Sequence, residues 1–520
     1  MEPLILTFDI GTQSVRALLA RKDGSFLDIE QYTYEEAYFS PQEYWAEQKP
    51  DFYFNALCKV SKTILERNRN AIPYILNVTI TTIRDTVLCL DKDMQPLRNI
   101  IVWLDSRGAK FSPSMVDPVK RLLFSVVGMT DTIELQGETS ACNWIMQNEP
   151  ELWDRTAHYV YLSTYLNYLL TGQLKDSSGS LIGHMPMDYK KKEWLGRNGL
   201  TRCVFDIPNE KLCEIIKPGD TVGVITDKAS ELTGIPAGLE LVATAADKGC
   251  ETLGLSVKAP GTAAVSFGTS ATIQLASEKY IEPATFIPPY PGAIDGIYNP
   301  ELQIYRGYWM LTWYISQFAQ EEARTARELG IAPEQVLNDH LKDVPMGSDG
   351  LFIQPYWSAG VTTPNARGSM LGFNDRQTKY HIYRAIIEGI NYELYAGLKN
   401  LERRSKSKIT AVFASGGGSK SDEIMQIAAD MFGIPVKRIQ THEACGLGAA
   451  MIGFVHAGEF ADYDEAIAAM VHIKDVFEPD MDNHAFYLSM YKGVYSGVFR
   501  AVQPLYKKLK QLRRGSVSVL

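Results

Sequence analysis

The chain has 520 residues, a length that predicts more than one folded domain. Its hydrophobic content of 45% and charged content of 22% are those of a soluble globular protein, and its net charge of -9 argues against a nucleic-acid-binding surface. Seven cysteines without a C-x-x-C pair argue against a zinc site or a disulfide framework, and favour reduced thiols in the cytoplasm. The sequence has no signal-peptide pattern and no apolar run near about 18 residues, so no membrane span is expected.

The chain opens with two short apolar runs joined by a tight polar turn. Residues 4–8 and 15–20 have the length and composition of strands, and Gly11 and Thr12 lie in the turn between them. Such a turn presents backbone N–H groups and hydroxyls to a phosphate. Asp9, at the end of the first run, is placed to hold a Mg²⁺ through water against that phosphate. An ordinary hairpin is the alternative, because short glycine motifs are weak evidence.

Further strands and one helix follow, and polar residues stand at two strand ends. The pattern predicts a strand at 26–34, a helix near 51–68, and strands at 74–81, 87–90 and 100–104. Ligands of open α/β sheets bind at the carboxyl ends of strands, where Arg84, Asp85 and Trp103 stand. Arg84 and Asp85 can grip a polyhydroxy substrate, since Arg donates to hydroxyls and Asp accepts from them. A surface ion pair between the two is the alternative.

A carboxylate closes the first half of the chain. Residues 140–170 predict helix, residues 171–220 predict loops, and residues 240–245 predict a strand that runs into Asp247. A carboxylate at the end of a strand can accept the proton of a hydroxyl that attacks a phosphoryl group. The alternative is an aspartate that caps the next helix.

The opening pattern occurs again about half a chain later. Residues 261–275 read GTAAVSFGTSATIQL, in which an apolar run meets Gly268, Thr269 and Ser270 and a second apolar run follows. Two phosphate loops from two similar halves would clamp a triphosphate between them. Only the first copy carries an acidic residue, as expected if one metal ion is enough.

The second half ends in a glycine-rich turn and a small-residue helix. The pattern predicts a strand at 350–356, a loop at 364–373, a helix at 381–401 and a strand at 410–414. Glycines then precede a helix that ends near Phe432, with Ser419 and Asp422 as its capping box. A strand, glycines and a helix N-terminus together predict a seat for a nucleotide.

Two further segments are interpreted structurally. Residues 443–453 predict a helix whose small residues pack closely on a neighbour, with proximity to the nucleotide as the alternative. The C-terminal basic residues are expected to form the solvated face of a terminal helix; they are Lys507, Lys508, Lys510, Arg513 and Arg514.

Taken together, these motifs resemble the FGGY family of carbohydrate kinases over nearly the whole chain. The most specific element is GSMLGF at 368–373, followed after seven residues by HIYRAIIE at 381–388. DIGTQSVR, WAEQ, SFGTS, SGGGSKS and EACGLGAA stand in the expected order. The resemblance implies an α/β, two-domain actin-like ATPase (ribonuclease H-like) fold with a cleft between the lobes. It also implies an N-terminal domain at 1–246 and a C-terminal domain at 247–520.

The resemblance further implies ATP-dependent phosphorylation of a sugar or polyol in that cleft, with ATP and Mg²⁺. Asp247 is then the general base, and Asp9 lies near Mg²⁺. The remaining implied site residues fall into four groups: Thr12, Gln13 and Arg16 line the first phosphate loop, Gly268 and Thr269 the second, Gly417 and Ser421 approach the adenosine, and Arg84, Asp85, Trp103 and Asp247 face the substrate.

The substrate is less sharply specified by the same comparison. Arg84 and Asp85 resemble the Arg-Glu pair of glycerol kinases and of autoinducer-2 kinases, whereas WAEQ at 45–48 and W-x-D-x-R at 103–107 resemble xylulokinases. A ketopentose such as xylulose is the expected substrate, and glycerol, another polyol or an autoinducer-2-type sugar is the alternative. A nucleotide-switched ATPase without kinase activity and a sugar-binding regulator are the rival classes, and a homodimer is left open.

Overall fold

The computed structural model describes residues 2–112 and 116–517, with side chains up to residue 512. Its strands are β1 (Leu4–Ile10), β2 (Ser14–Arg21), β3 (Phe26–Thr33), β4 (Glu47–Gln48), β5 (Ile75–Thr82), β6 (Val87–Leu90), β7 (Ile100–Ile101), β8 (His158–Tyr161), β9 (Lys175–Ser177), β10 (Met187–Asp188), β11 (Glu193–Trp194), β12 (Glu214–Ile216), β13 (Thr221–Val224), β14 (Glu240–Val242), β15 (Thr262–Phe267), β16 (Ala271–Gln274), β17 (Tyr290–Pro291), β18 (Tyr298–Asn299), β19 (Glu301–Ile304), β20 (Phe352–Gln354), β21 (Ser369–Leu371), β22 (Ala411–Ser415), β23 (Val436–Ile439) and β24 (Ile473–Phe477).

The helices alternate with these strands, as in α/β proteins. They are α1 (Phe52–Arg67), α2 (Pro118–Val126), α3 (Thr130–Thr139), α4 (Ala141–Asn148), α5 (Pro150–Arg155), α6 (Leu162–Thr171), α7 (Asp227–Thr233), α8 (Asp247–Gly254), α9 (Trp309–Phe318), α10 (Gln320–Leu329), α11 (Pro333–Asn338), α12 (Lys379–Ser405), α13 (Asp422–Phe432), α14 (Ala444–His456), α15 (Tyr463–Met470), α16 (Met481–Met490) and α17 (Ser496–Val517).

Two large sheets share one strand arrangement. The first has the order β13–β14–β5–β1–β2–β3 and the second β19–β16–β15–β22–β23–β24. In each, an antiparallel three-stranded meander continues into two parallel strands and ends in an antiparallel strand. The turns after β1 and β15 therefore occupy equivalent places. The predicted repeat and the predicted two-lobed α/β fold are confirmed, whereas the boundary between residues 246 and 247 stays a prediction.

Strand β1 is buried along its whole length because elements pack on both of its faces. Leu4, Leu6 and Phe8 join the apolar cluster around α1, whereas Ile5 joins the cluster around α14. Successive side chains of a strand point to opposite faces, so Asp9 shares the face of Ile5. This face lies toward the space between the two sheets.

Helices α8 and α14 cross between the sheets, and a cluster of apolar side chains from both sheets surrounds them. Their backbones approach so closely that a Cβ on Gly448 would overlap the carbonyl group of Cys250. The small-residue helix therefore packs closely on a neighbour, as predicted. The two helices connect the lobes at the base of the site described below.

Several predicted elements need correction. The strand expected at 100–104 is only β7, because the chain turns at Asp105, whose N–H donates to the Val102 carbonyl. The helical stretch at 140–170 is interrupted by β8, which pairs with β6, and the loop at 364–373 contains β21, which pairs with β20. Partners that are distant in the chain impose these strands on sequence that has no clear periodicity.

The N-cap of α13 is Ser421 and not Ser419. The Ser421 hydroxyl accepts the Ile424 N–H at 3.3 Å, while the Ser419 hydroxyl donates to the Gly416 carbonyl at 2.7 Å within a 3₁₀ turn. Gly433 ends α13 in the left-handed conformation, as its position predicts.

The terminal basic residues are only partly solvated. Helix α17 is present, but Lys507 forms an ion pair with Asp131 and Lys510 with Glu134, both on α3. The side chains of Arg513 and Arg514 lie outside the described residues. Within residues 2–112 and 116–517, no helix combines the length and apolar character needed to cross a bilayer.

Candidate active site

The first predicted phosphate turn directly contacts a predicted substrate residue. Between β1 and β2 the Gly11 N–H donates to the Ser14 carbonyl at 2.9 Å, which closes the turn. The Trp103 indole N–H donates to the Thr12 hydroxyl at 2.9 Å. Gln13 is exposed beside them. The turn after β1 is thus fixed to the segment that follows β7.

Asp9 is a buried carboxylate beside this turn. Arg16 lies 3.4 Å from it and also forms an ion pair at 3.2 Å with Glu443, at the start of α14. Burial, helped by the charges of Glu443, Asp247 and Glu251, raises the pKa of Asp9 to about 7 against the opposing charge of Arg16. Asp9 and Asp247 therefore lie within electrostatic reach of each other.

Asp247 is the first residue of α8 and does not cap it. The N-cap is Ala246, which makes no side-chain capping bond, and the Asp247 carboxylate accepts the adjacent Lys248 N–H at 2.8 Å. The capping alternative is therefore wrong. Burial raises the pKa of Asp247 above its ordinary value, and the charges of Lys248 and Arg84 oppose that rise. Asp247, the predicted base, thus lies near Arg84, which is predicted to bind the substrate.

A buried network ties α8 to the second sheet. Lys248 Nζ lies 2.8 Å from Glu251 and 2.7 Å from the Ser266 hydroxyl. The hydroxyls of Ser266 and Ser415 donate to Glu251 at 3.0 and 2.5 Å. Ser266 precedes the second phosphate turn and Ser415 ends β22, so Glu251 binds both strand ends that lead into the predicted nucleotide loops. Its charge also raises the pKa of Asp9 and of Asp247. Sequence reasoning missed Lys248 and Glu251, although their i, i+3 spacing places them on one helix face.

The two predicted nucleotide loops touch each other. Gly416 has a φ of +82°, and a Cβ there would lie 2.8 Å from the Gly268 N–H nitrogen. The Trp309 N–H donates to the Thr269 carbonyl at 3.3 Å, which joins the loop to α9. A Cβ on Gly417 would meet no atom within 4 Å, so a ligand can approach its backbone. The hydroxyl of Ser421 is engaged in the helix cap already described.

Arg84 and Asp85 do not pair with each other, so the surface ion-pair alternative is wrong. Asp85 accepts the His184 Nδ1–H at 2.6 Å, the His184 N–H at 3.0 Å and the Tyr161 hydroxyl at 3.4 Å. Arg84 donates to Glu301 at 2.5 Å. Asp85 has a φ of 56°, a strained conformation that is common at functional sites.

The His184–Asp85 pair stabilises its charged form. Burial alone would raise the pKa of Asp85, but the charge and hydrogen bonds of His184 leave it lowered. Burial would likewise lower the pKa of His184, but the charge of Asp85 leaves it raised. No local pattern in the sequence pointed to His184.

A cavity of about 300 Å³ lies close to Arg84, between β16, β19 and α12. Gln303 and Tyr305 line it, whereas Arg84, Asp85 and Asp247 do not. The chemistry is therefore assigned to the strand-end residues, on the basis of their contacts and charges.

The donor set at Asp9 is compatible with a magnesium ion held mainly by other ligands. The described residues contain no group of three or more His, Cys, Asp or Glu side chains able to hold a metal. Mg²⁺ in nucleotide sites needs only one or two carboxylates, with water and phosphate oxygens completing its shell. Asp9, buried next to the first phosphate turn, can supply that carboxylate.

Comparison with known proteins decides the family. The N-terminal domain model of the FGGY family of carbohydrate kinases matches residues 4–254, and the C-terminal domain model matches residues 263–457. The chain belongs to this family. It is therefore an ATP-dependent carbohydrate kinase, which argues against the rival of an ATPase without kinase activity.

Individual relatives differ in their substrates. The chain is 26% identical to the xylulose kinase of Staphylococcus epidermidis, over 97% of this chain and 98% of that one. It is 26% identical to the gluconokinase of Bacillus licheniformis, over 89% and 90%. The ligand-bound xylulose kinase of Lactobacillus acidophilus superposes with a TM-score of 0.81 at 21% identity, over 98% and 100% of the two chains, a likeness that concerns the fold alone.

Proposed function

We propose that this kinase transfers the γ-phosphoryl group of MgATP to a terminal hydroxyl of a ketopentose, such as xylulose, or of a related linear polyol. The observation that carries the proposal is the electrostatic position of Asp247. Its charge acts on Asp9, beside the first phosphate turn, and the charge of Arg84, at the predicted substrate end, acts on it. These effects support a position of Asp247 between the two partners of a phosphoryl transfer.

Asp247 is proposed to take the proton of the attacking hydroxyl. A general base works in its deprotonated form and gains from a pKa closer to the working pH, the direction in which burial shifts Asp247. Positioning and electrostatic stabilisation account for most of the catalysis of phosphoryl transfer, so the protein needs little covalent chemistry of its own.

The two hairpin turns are proposed to hold the phosphates from opposite lobes. The Gly11 N–H closes the first turn, which leaves the backbone N–H of Thr12, and those of Gly268 and Thr269 in the second turn, to match the charge of phosphate oxygens. Asp9 would hold Mg²⁺, which neutralises developing charge on the transferred group when it is bound. Gly417, whose backbone is open to approach, would lie against the adenosine.

Arg84, Asp85 and Trp103 are proposed to orient the sugar. Arg84 offers donors and Asp85 a charge-stabilised acceptor for neighbouring hydroxyl groups, as a linear ketose or polyol presents them, while the Trp103 N–H stays bound to Thr12. The names of the relatives support a sugar or sugar acid, and the xylulose kinases favour a ketopentose. Glycerol and an autoinducer-2-type sugar remain the alternatives.

A substrate panel tests the proposal. ADP release is measured with MgATP alone and after addition of D-xylulose, D-ribulose, xylitol, glycerol or D-gluconate. The proposal predicts release that depends on an added ketopentose or polyol, with a phosphorylated product of equal amount. Equal ADP release with and without every compound would contradict it.

A further inference from the structure

An ion pair joins the two lobes at the predicted substrate end. Arg84 follows β5 of the first sheet, and its Nη2 donates to the Glu301 carboxylate of β19, in the second sheet, at 2.5 Å. The same nitrogen lies 3.4 Å from the Gln303 amide oxygen. The Arg84 side chain is 14% exposed and the Glu301 side chain 2%, so the pair is largely removed from water.

This pair changes the charge that a substrate meets. The sequence predicts that Arg84 donates to substrate hydroxyls; in the structure Glu301 neutralises its charge, and the guanidinium also lies 5.0 Å from the ring of Tyr290. Two further ion pairs lie nearby: His184 balances Asp85 at 2.6 Å, and Glu251 balances Lys248 at 2.8 Å. Asp247 adds a negative charge that also acts on Arg84.

One carboxylate oxygen of Glu301 accepts no hydrogen bond from the described residues. Its Oε2 atom is buried and has no hydrogen-bond partner among the described residues. A buried charged oxygen without a partner favours any ligand that donates a hydrogen bond to it. A hydroxyl placed against Glu301 can donate to it, whereas a sugar-acid carboxylate placed there has no proton to give at neutral pH and is repelled by the like charge.

We infer that Glu301 determines substrate specificity by compensating Arg84 and offering an acceptor, so that the site takes an uncharged ketose or polyol and rejects aldonates. The inference rests on the proposed function and deepens it. It predicts that this chain differs in substrate from its relatives named gluconokinases. Freeing Arg84 from its partner should make the site more tolerant of that carboxylate.

The test compares kcat/KM for D-xylulose, D-ribulose, xylitol, glycerol and D-gluconate in the wild type and in Glu301→Gln. We expect the wild type to prefer its best neutral substrate over D-gluconate by at least about 100-fold, as expected for a site that leaves one substrate's charge unpaired. Glu301→Gln keeps the shape of the side chain and removes its charge, so the ratio should fall at least tenfold.

Glu322→Gln is the matched control. Glu322 is also buried, lies 2.6 Å from Lys379 and has an Oε2 atom without a partner among the described residues, but it belongs to α10 and contacts none of the site residues named above. This substitution should leave the substrate ratio unchanged even if it lowers the melting temperature.

The outcomes separate the inference from the proposed function. D-gluconate used within tenfold of the best neutral compound by the wild type would overturn the inference while leaving the kinase intact, and this readout does not depend on a variant folding. An unchanged ratio in an active Glu301→Gln enzyme would also overturn it. Failure of every compound to stimulate ADP release would contradict the proposed function and the inference together.

Discussion

The two lobes use one strand arrangement but end their equivalent strands in different chemistry. In the first sheet, β1 carries Asp9 near its end and β5 leads into Arg84 and Asp85. In the second sheet, β15 carries Ser266 at the equivalent place and β22 leads into Gly416. Both sheets place a Gly-Thr turn after the first of these strands.

The difference fits the proposed roles of the two lobes. Charged side chains at the ends of β1 and β5 suit a metal ion and a sugar, which need full charges and directional hydrogen bonds. Small residues at the ends of β15 and β22 let the backbone approach a bulky nucleotide. Helix α8 joins the two sets, because Asp247 lies within electrostatic reach of Arg84 and Glu251 accepts hydrogen bonds from Ser266 and Ser415.

Removing the carboxylate at the charged end should give the largest effect. Asp247→Asn keeps the side chain's shape but cannot accept the substrate proton, so kcat should fall about 10²- to 10⁴-fold. Steady-state ADP formation with saturating sugar and ATP measures it. Asp227→Asn, an exposed aspartate at the start of α7, is the control and should keep full activity. A loss below tenfold in Asp247→Asn would mean that another group is the base.

Adding a side chain at Gly416, where β22 ends in small residues, should weaken nucleotide binding more than sugar binding. A Cβ at Gly416 would lie 2.7 Å from the Phe267 carbonyl carbon, and the positive φ adds strain of about 1–3 kcal/mol. Gly416→Ala should therefore raise the KM for ATP at least tenfold and lower the melting temperature.

Gly330→Ala is the control for Gly416→Ala. Gly330 also has a positive φ, +68°, at the end of α10, but a Cβ added there would meet no atom within 4 Å. This control measures the free-energy cost of an alanine at positive φ without a steric clash against the second phosphate turn. Equal KM values for ATP in both variants would argue against contact between that turn and the nucleotide.

The pH dependence of kcat/KM for the sugar should reflect Asp247. Asp247 is active when deprotonated and its pKa in the free enzyme is raised from 3.8, so the acid limb should lie above pH 3.8. Activity should be complete well above that pKa and fall about tenfold per pH unit below it, since one proton inactivates the base. The measurement is kcat/KM for the sugar from about pH 4 to 8 at saturating MgATP. A kcat/KM that stays constant down to the acid end of this range would contradict the assignment.

The smallest effect should come from the contact between the first turn and the substrate segment. Trp103→Phe removes the N–H that Thr12 accepts at 2.9 Å, which is worth about 0.5–1.5 kcal/mol, or roughly a two- to twelvefold rise in KM. Trp194→Phe loses a similar bond, to the Cys213 carbonyl at 2.7 Å. Only Trp103→Phe should change KM; a similar change in both variants would point to a general loss of stability.

Local pattern was sufficient to predict the hairpins. Apolar runs on either side of Gly11-Thr12 and of Gly268-Thr269 contain all the information that a strand, a turn and a strand require. The helix cap was predicted at the wrong serine because Ser419 and Ser421 both precede α13 with acidic residues beyond them. Such degeneracy is resolved only by the backbone conformation.

The partners of the site could not be read from local pattern. His184 lies 99 residues from Asp85, and Glu301 lies 217 residues from Arg84, so only the folded sheets bring them together. The most specific family signature contains residues with a structural role. Its Arg384 and Glu388 form a buried ion pair at 2.8 Å, and Glu388 also accepts the Gly347 N–H at 3.1 Å, so this part of the signature supports the fold.

The most direct test is a crystal structure with Mg²⁺, a non-hydrolysable ATP analogue and the preferred sugar. We expect the triphosphate in contact with both Thr12 and Thr269, and a sugar hydroxyl within about 2.6–3.2 Å of the Asp247 carboxylate. A nucleotide bound by only one of the two turns, or a reacting hydroxyl held by another carboxylate, would contradict this mechanism.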